Sequence, residues 1–218
     1  MKKAIFFIDG NNWYHNVKKY YNPSDIDIAK IVDLIKNKKE YSLVEIIWYV
    51  SVPSIEDGEK TYFQHLSFLD HLKNKGIQVV TRKLQRLSNK KILNKKADLI
   101  NSLDLCNLCK PIIEAQFLEI DDIKRKEKGI DVSIVVDMIN KSLIKKECDV
   151  CVLISGDADF VPALKLIKDS GKEVLTSAVP LGYSSELRKK FPYFILNQDT
   201  LKKCFRDYKD KDKTTSQA

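Results

Sequence analysis

Glycine is scarce in this chain, and none of its seven glycines belongs to a phosphate-cradling loop, which excludes the nucleotide-binding folds built on such loops. Histidine is scarcer. His15, His65 and His71 are scattered along the sequence; His15 is able to approach a site from the first helix, while the other two read as faces of a helix over residues 58–74. No apolar run approaches the roughly 20 residues that a membrane-spanning helix requires. The opening MKKAIFFIDG carries a basic pair, but its apolar run stops at Asp9 after five residues, too short for the core of a signal peptide. A cytoplasmic protein with no membrane partner is therefore expected.

What is abundant is positive charge. The net charge is +8 with an isoelectric point near 9.1, which suits a polyanionic partner. Lysine makes up 33 of the 38 basic residues, and such a bias can arise from codon usage alone. Its distribution decides the matter. Between Arg82 and Lys128 twelve basic side chains stand against seven acidic ones, so this stretch supplies five of the eight net charges. Concentration in one segment favours a nucleic-acid path over a uniformly solvated surface. With 218 residues and 44% hydrophobic content the chain is long enough for one full core and one domain.

Four aspartates follow strand or helix signals at separated points: Asp9 in AIFFIDGNN, Asp131 in KGIDVSIVVDMI, and Asp157 with Asp159 in VCVLISGDADF. A carboxylate cluster gathered from distant segments is costly unless a cation neutralises it, and oxygen-only ligation suits Mg²⁺ or Mn²⁺. The pattern points to a metal-dependent hydrolase. Residues 4–8 and 150–154 are short apolar runs ending abruptly in polar residues, as strands buried on both faces do. Further strands are predicted at residues 43–50, 77–84 and 173–178, with a short one at 193–196. Helices are predicted at 12–20, 27–38, 58–74, 129–145, 158–170, 184–190 and 200–208. This alternation implies βαβ units and a mainly parallel five-stranded sheet. Right-handed crossovers favour the strand order third, second, first, fourth, fifth. Asp9 and Asp157 then share the crevice at the carboxyl ends of adjacent strands, where ligands bind in open α/β sheets. Asp131 sits in the first turn of a helix, where the dipole favours negative charge.

IDGNN, then KGID opening a helix, then SGDADF closing a strand together resemble the NYN domain of the PIN-like nuclease superfamily, in its LabA-like branch. The resemblance runs from about Lys2 to about Asn197. It implies a three-layer, Rossmann-like α/β fold over residues 1–206, with a basic insertion at about 85–126; the tail at 207–218, with three acids against three lysines and no apolar periodicity, is expected to be disordered. It also implies that Asp9, Asp131, Asp157 and Asp159 hold the metal and carry catalysis, with Asn12 and Ser155 as polar neighbours and Lys128 as the lysine before GID. Characterised relatives are largely Mg²⁺- or Mn²⁺-dependent ribonucleases, although the superfamily also has members with little demonstrated activity. The expected function is hydrolysis of RNA phosphodiesters in single-stranded or loop regions. Two alternatives stand beside it: a non-catalytic regulator that binds RNA or protein, and a nuclease acting on structured DNA. A homo-oligomer is compatible with the sequence.

Lys95, Lys96, Arg125 and Lys126, with Lys128, bracket the insertion and are the expected phosphate contacts. Leucine and isoleucine recur there often enough for short helices or a small hairpin. Asp137 lies on a different helical face from Asp131, rotated by roughly 240°, and is expected to orient a ligand or cap a neighbour. Trp13, Tyr14 and Phe160 flank the carboxylates and are candidates for base stacking, against the alternative that they are core. Cys106-x-x-Cys109 and Cys148-x-x-Cys151 have the pair spacing of a zinc ribbon, but Cys151 belongs to a predicted buried strand, and Cys106 with Cys109 lack two ligands. Reduced thiols are the simplest expectation.

Overall fold

A computed structural model describes residues 1–55, 58–83, 85–86, 89–118, 125–126 and 129–207. Strand β1 (Lys2–Asp9) leads into α1 (Gly10–Val17), and α2 (Ile28–Lys39) precedes β2 (Tyr41–Val52). Then follow α3 (Glu59–Asn74), β3 (Gln78–Lys83), β4 (Gln85–Arg86), α4 (Asn89–Ser102), α5 (Cys109–Leu118) and β5 (Arg125–Lys126). Helix α6 (Ile130–Ile139) continues through a π-helical turn, Asn140–Ile144. Strand β6 (Val150–Ile154) and α7 (Val161–Asp169) come next, then β7 (Glu173–Ala178), α8 (Ser185–Lys190), β8 (Tyr193–Ile195) and α9 (Gln198–Lys203).

Contacts divide the chain into a sheet unit, residues 1–82 and 129 onward, and a second unit at 83–128. In the sheet unit the strand order is β3-β2-β1-β6-β7-β8, the expected order with a sixth strand at the edge. The β1–β2, β1–β6, β6–β7 and β7–β8 pairs are parallel. Strand β8 is the short strand expected at 193–196, and only Phe194 of its three residues is buried. A three-residue strand shows no periodicity.

Strand β1 shows why the sheet is covered on both sides. Ala4, Phe6 and Ile8 enter one core cluster with Trp13 of α1, Ile31 and Ile35 of α2, Leu72 of α3 and Leu201 of α9. Ile5 and Phe7 enter another with Ile134 and Met138 of α6, Leu164 and Ile167 of α7 and Leu187 of α8. Residues 4–8 are fully buried. Each large apolar side chain buried in this way contributes about 1.5–3 kcal/mol. In the second unit α4 packs with α5, and β4 pairs antiparallel with β5, Arg86 opposite Arg125. Among the described residues no helix is long and apolar enough to cross a membrane.

Three helix starts differ from expectation by more than one residue; α7 begins at Val161 rather than residue 158, after a 3-10 turn at Ala158–Phe160. Helix α1 begins at Gly10 rather than residue 12, because Asp9 acts as its N-cap. Helix α9 begins at Gln198 because Asn197 accepts hydrogen bonds from both the backbone N–H and the hydroxyl of Thr200. Asp207, at the start of the expected tail, pairs with Lys30; residues 208–218 lie outside the described ones.

A buried ion pair joins α2 to the end of α3. Asp27 caps α2 through the N–H of Ala29 at 2.9 Å, and its other oxygen accepts from Lys75 Nζ at 2.6 Å. Burial raises the Asp27 carboxyl, but Lys75 and the N–H groups of Ala29 and Lys30 outweigh it, so its pKa lies below the ordinary value. Lys75→Ala leaves this carboxylate buried without its cation. The expected cost at neutral pH is about 3 kcal/mol, the low end for a broken buried pair because Lys75 is partly exposed. A group with a depressed folded-state pKa stabilises fully above its unfolded pKa and loses that contribution as pH falls through the folded one. Urea melts should therefore show the gap between wild type and variant closing below about pH 4. A gap that persists undiminished in acid would exclude the ion pair as its cause.

Candidate active site

The site starts from register. Ile8 of β1 pairs with Ile154 of β6, so the next residues, Asp9 and Ser155, leave the two strands side by side. Alternation along each strand turns them toward the face of Phe7 and Leu153, the face covered by α6 and α7. Both are nearly inaccessible, at 4% and 1% exposure. A carboxylate so deeply placed needs donors. Asp9 Oδ1 accepts the N–H of Asn12 at 3.0 Å, and Oδ2 accepts the hydroxyl of Ser155 at 3.0 Å.

The same hydroxyl reaches the second acidic motif. Ser155 Oγ accepts the N–H of Asp157 at 3.3 Å, and Asp157 Oδ1 accepts the N–H of Asp159 at 2.9 Å. Asp157 thereby caps the short 3-10 turn Ala158–Phe160 that enters α7. Asp157 is half-buried and Asp159 is exposed. Asn12 ties the two loops together, because its Oδ1 accepts from the N–H of Gly156 at 3.0 Å and from Asn16 Nδ2 at 2.9 Å. With its oxygen committed twice, the amide presents its NH₂ as a donor.

A groove of about 490 Å³ lies alongside, lined by Asn12, Asn16, Gly156, Asp157, Gly182 and Ser184 among others. Its floor is close-packed backbone. A Cβ on Gly156 would come within 2.0 Å of the Gly182 carbonyl oxygen, and the N–H of Ser184 donates to the Gly156 carbonyl at 2.9 Å. Behind it the Tyr183 hydroxyl meets Thr176 Oγ1 at 2.6 Å, and burial pushes its phenol up to about 12.

Helix α6 brings the third motif to the same edge. Tyr49, late in β2, donates to Asp137 Oδ2 at 2.8 Å, whereas Glu45, early in β2, accepts from Lys141 at 2.7 Å. The helix therefore runs antiparallel to the strand. Asp131, six residues before Asp137, stands roughly 9 Å further along the axis, toward the carboxyl end of the sheet. Tyr49 is itself the register partner of Asp9. Asp131 is exposed. Asp137 thus serves as the acceptor for a buried phenol that burial, then Asp137 itself, holds well above its ordinary pKa. Arg82, at the end of β3, donates to Ser133 Oγ, which in turn donates to the Gly129 carbonyl. This fastens the first turn of α6.

The remaining expected residues lie on other elements. Lys95 and Lys96 are on α4, and Arg125 and Lys126 form β5, all in the second unit; Lys128 lies outside the described residues. Of the stacking candidates, Trp13 and Phe160 are core residues at 5% and 0% exposure, and only Tyr14 is exposed. The loop at Gly182–Ser184 and Asn16 were not legible as site residues. Asn11, whose amide bonds Ser51 at the end of β2, was missed as well, although it stands inside IDGNN.

All donors at this edge are oxygen. Among the described residues no three of Asp, Glu, His and Cys already form a metal cage. Mg²⁺ does not demand one, because it keeps several waters and commonly takes one or two carboxylates. Asp9, Asp131, Asp157 and Asp159 fit such a cation by donor chemistry.

The comparisons agree with this fold. A crystal structure of a protein of unknown function from Vibrio parahaemolyticus shares the fold, with a TM-score of 0.55, 18% identity, and coverage of 91% of this chain and 94% of the other. The chain is 24% identical over 193 residues to the low amplitude and bright protein LabA of Synechococcus elongatus, across 88% of this chain and 82% of that protein. The NYN domain family matches residues 3–198, and the chain belongs to that family.

Proposed function

We propose that this NYN-domain protein is a metal-dependent endoribonuclease that hydrolyses phosphodiesters in single-stranded or loop regions of RNA. The observation that carries the reading is the run of hydrogen bonds from Asp9 through Ser155 to Asp157, which links two acidic motifs at the carboxyl ends of adjacent parallel strands. Asp9 and Asp157, with Asp131 and Asp159 at the same edge, are the residues that would hold Mg²⁺ or Mn²⁺. When bound, that cation supplies a more acidic water and neutralises charge on the phosphodiester.

The chain's own residues do the positioning. Ser155 orients the Asp9 carboxylate through a hydrogen bond to its Oδ2. Asn12, its oxygen fixed by Gly156 and Asn16, turns its NH₂ toward an acceptor, and a phosphate oxygen is one. The groove beside Asp157 has room for a nucleotide next to the bond being cut. Lys95, Lys96, Arg125, Lys126 and Lys128 supply counter-charge along the strand.

A second reading, a regulator that binds RNA without cutting it, draws on the lack of a three-ligand group among the described residues. Asp157→Asn separates the two. The substitution keeps the side-chain shape and removes one negative charge, so cation affinity and cleavage should fall together while RNA affinity in chelator is kept or rises. The measurement pairs cleavage of labelled RNA and DNA oligomers in Mg²⁺ or Mn²⁺ with RNA affinity in chelator. Wild-type cleavage surviving both chelator and Asp157→Asn would refute the metal mechanism; binding with no cleavage of any substrate would establish the regulator.

Lys95→Ala with Lys96→Ala tests the RNA path separately. Each lost phosphate contact should flatten the dependence of log affinity on log salt by about 0.7 for a single strand. An unchanged slope would return both lysines to a solvated face.

A further inference from the structure

Cys106 and Cys109 take no part in the chemistry above, and they differ from the other three cysteines. Cys148, Cys151 and Cys204 are buried, and burial raises all three thiols above their ordinary range. They are accounted for as small core residues. Cys106 and Cys109 are both exposed and free, at the turn that opens α5.

That turn has a definite form. The N–H groups of Cys109 and Lys110 donate to the Cys106 carbonyl at 3.1 and 3.0 Å. The Cys109 N–H also lies 3.3 Å from Cys106 Sγ. The Cys109 thiol, followed by the N–H groups of Cys109 and Leu108, holds the Cys106 thiol below the ordinary cysteine range. Two sulfurs within reach of each other, with amide N–H groups aimed at the first, form the grip by which a C-x-x-C turn takes a soft cation. The N–H groups offset thiolate charge as outer partners of the ligands.

A closed zinc site needs four ligands. Every cysteine and histidine of the chain is described, yet no group of three metal-ligating side chains occurs among the described residues. A thiolate site therefore needs a second cysteine pair, and the other cysteines of this chain are buried in its core. The surface around the turn is apolar as well, with Leu103, Leu108 and Ile112 exposed to 49%, 82% and 63%. A two-fold axis through the metal supplies an identical Cys pair and folds this apolar surface onto its own copy. Four thiolates around Zn²⁺ also carry a net negative charge, which offsets the basic excess of residues 82–128.

We propose that Cys106 and Cys109 are half of a tetrathiolate zinc site completed by the same pair from a second copy of this chain. This assignment is independent of the nuclease reading.

The test uses the full chain, reduced and stripped of metal, titrated with Zn²⁺ and followed by sedimentation velocity and metal analysis. The expected result is conversion of monomer to dimer at one thiolate-bound zinc per two chains, reversed by chelator. Co²⁺ in place of Zn²⁺ should give the sulfur-to-metal charge-transfer and visible bands of a tetrahedral thiolate site, which a carboxylate site does not give. The double variant Cys106→Ser, Cys109→Ser should remain monomeric and lose that spectrum. If it fails to fold, either single substitution serves, since a two-fold site missing one sulfur per chain cannot be tetrathiolate. A monomer with one thiolate-bound zinc per chain would overturn the proposal. So would a cobalt spectrum that survives the substitutions, or a reduced protein that takes up no zinc through sulfur.

Discussion

The hydrogen bond from Ser155 to Asp9 spans 146 positions of sequence, and it forms because β1 and β6 pair in parallel with Ile8 opposite Ile154. Both strands are buried on both faces, so a one-residue slip would turn each apolar side chain toward the opposite helix layer and separate Asp9 from Ser155. The apolar core thus fixes the polar pair. A hydrogen bond to a charged group contributes about 1.5–3 kcal/mol, whereas a buried carboxylate stripped of its donors costs more than that. Asp9 is affordable only in this register.

Around that pair the backbone itself supplies polarity. Asp9 ends an apolar strand, Asp157 follows one by three residues, and each caps the helical turn that comes next. Each carboxylate satisfies N–H groups that would otherwise be orphaned. The side chains assigned to the proposed chemistry are therefore also helix caps. Asn12 extends the economy, because one amide oxygen accepts from both α1 and the β6–α7 loop. The edge is held rigid by local bonds, and the groove beside it keeps its shape.

Much of this was legible in the sequence. Residues 150–154 and 173–178 read as strands with the bounds observed, the first as a short apolar run cut off by polar residues. The strand order followed from crossover handedness. The α1 boundary did not, since a carboxylate that caps a helix looks the same in sequence as one that follows a strand. Asn16 and the Gly182–Ser184 loop were invisible for another reason. Their place depends on Gly156 meeting Gly182 across the sheet edge, a contact between residues 26 apart that no local pattern encodes. Trp13 and Phe160 were ambiguous from sequence because an aromatic at a helix start serves a core and a binding surface equally well.

The fastening of Arg82 to Ser133, and of Ser133 to Gly129, has a meaning beyond the first turn of α6. Arg82 is the last residue of the sheet unit before the chain departs, and Gly129 is the first on its return. The two ends of the intervening segment are thus pinned by the scaffold as well as by the β4–β5 pairing. Closing a loop costs only about 0.6 kcal/mol more for each doubling of its length. Segments of very different size and composition can therefore occupy this position without disturbing the register of β1 and β6. A change inside the segment thus leaves the strands that carry Asp9 and Ser155 in their register.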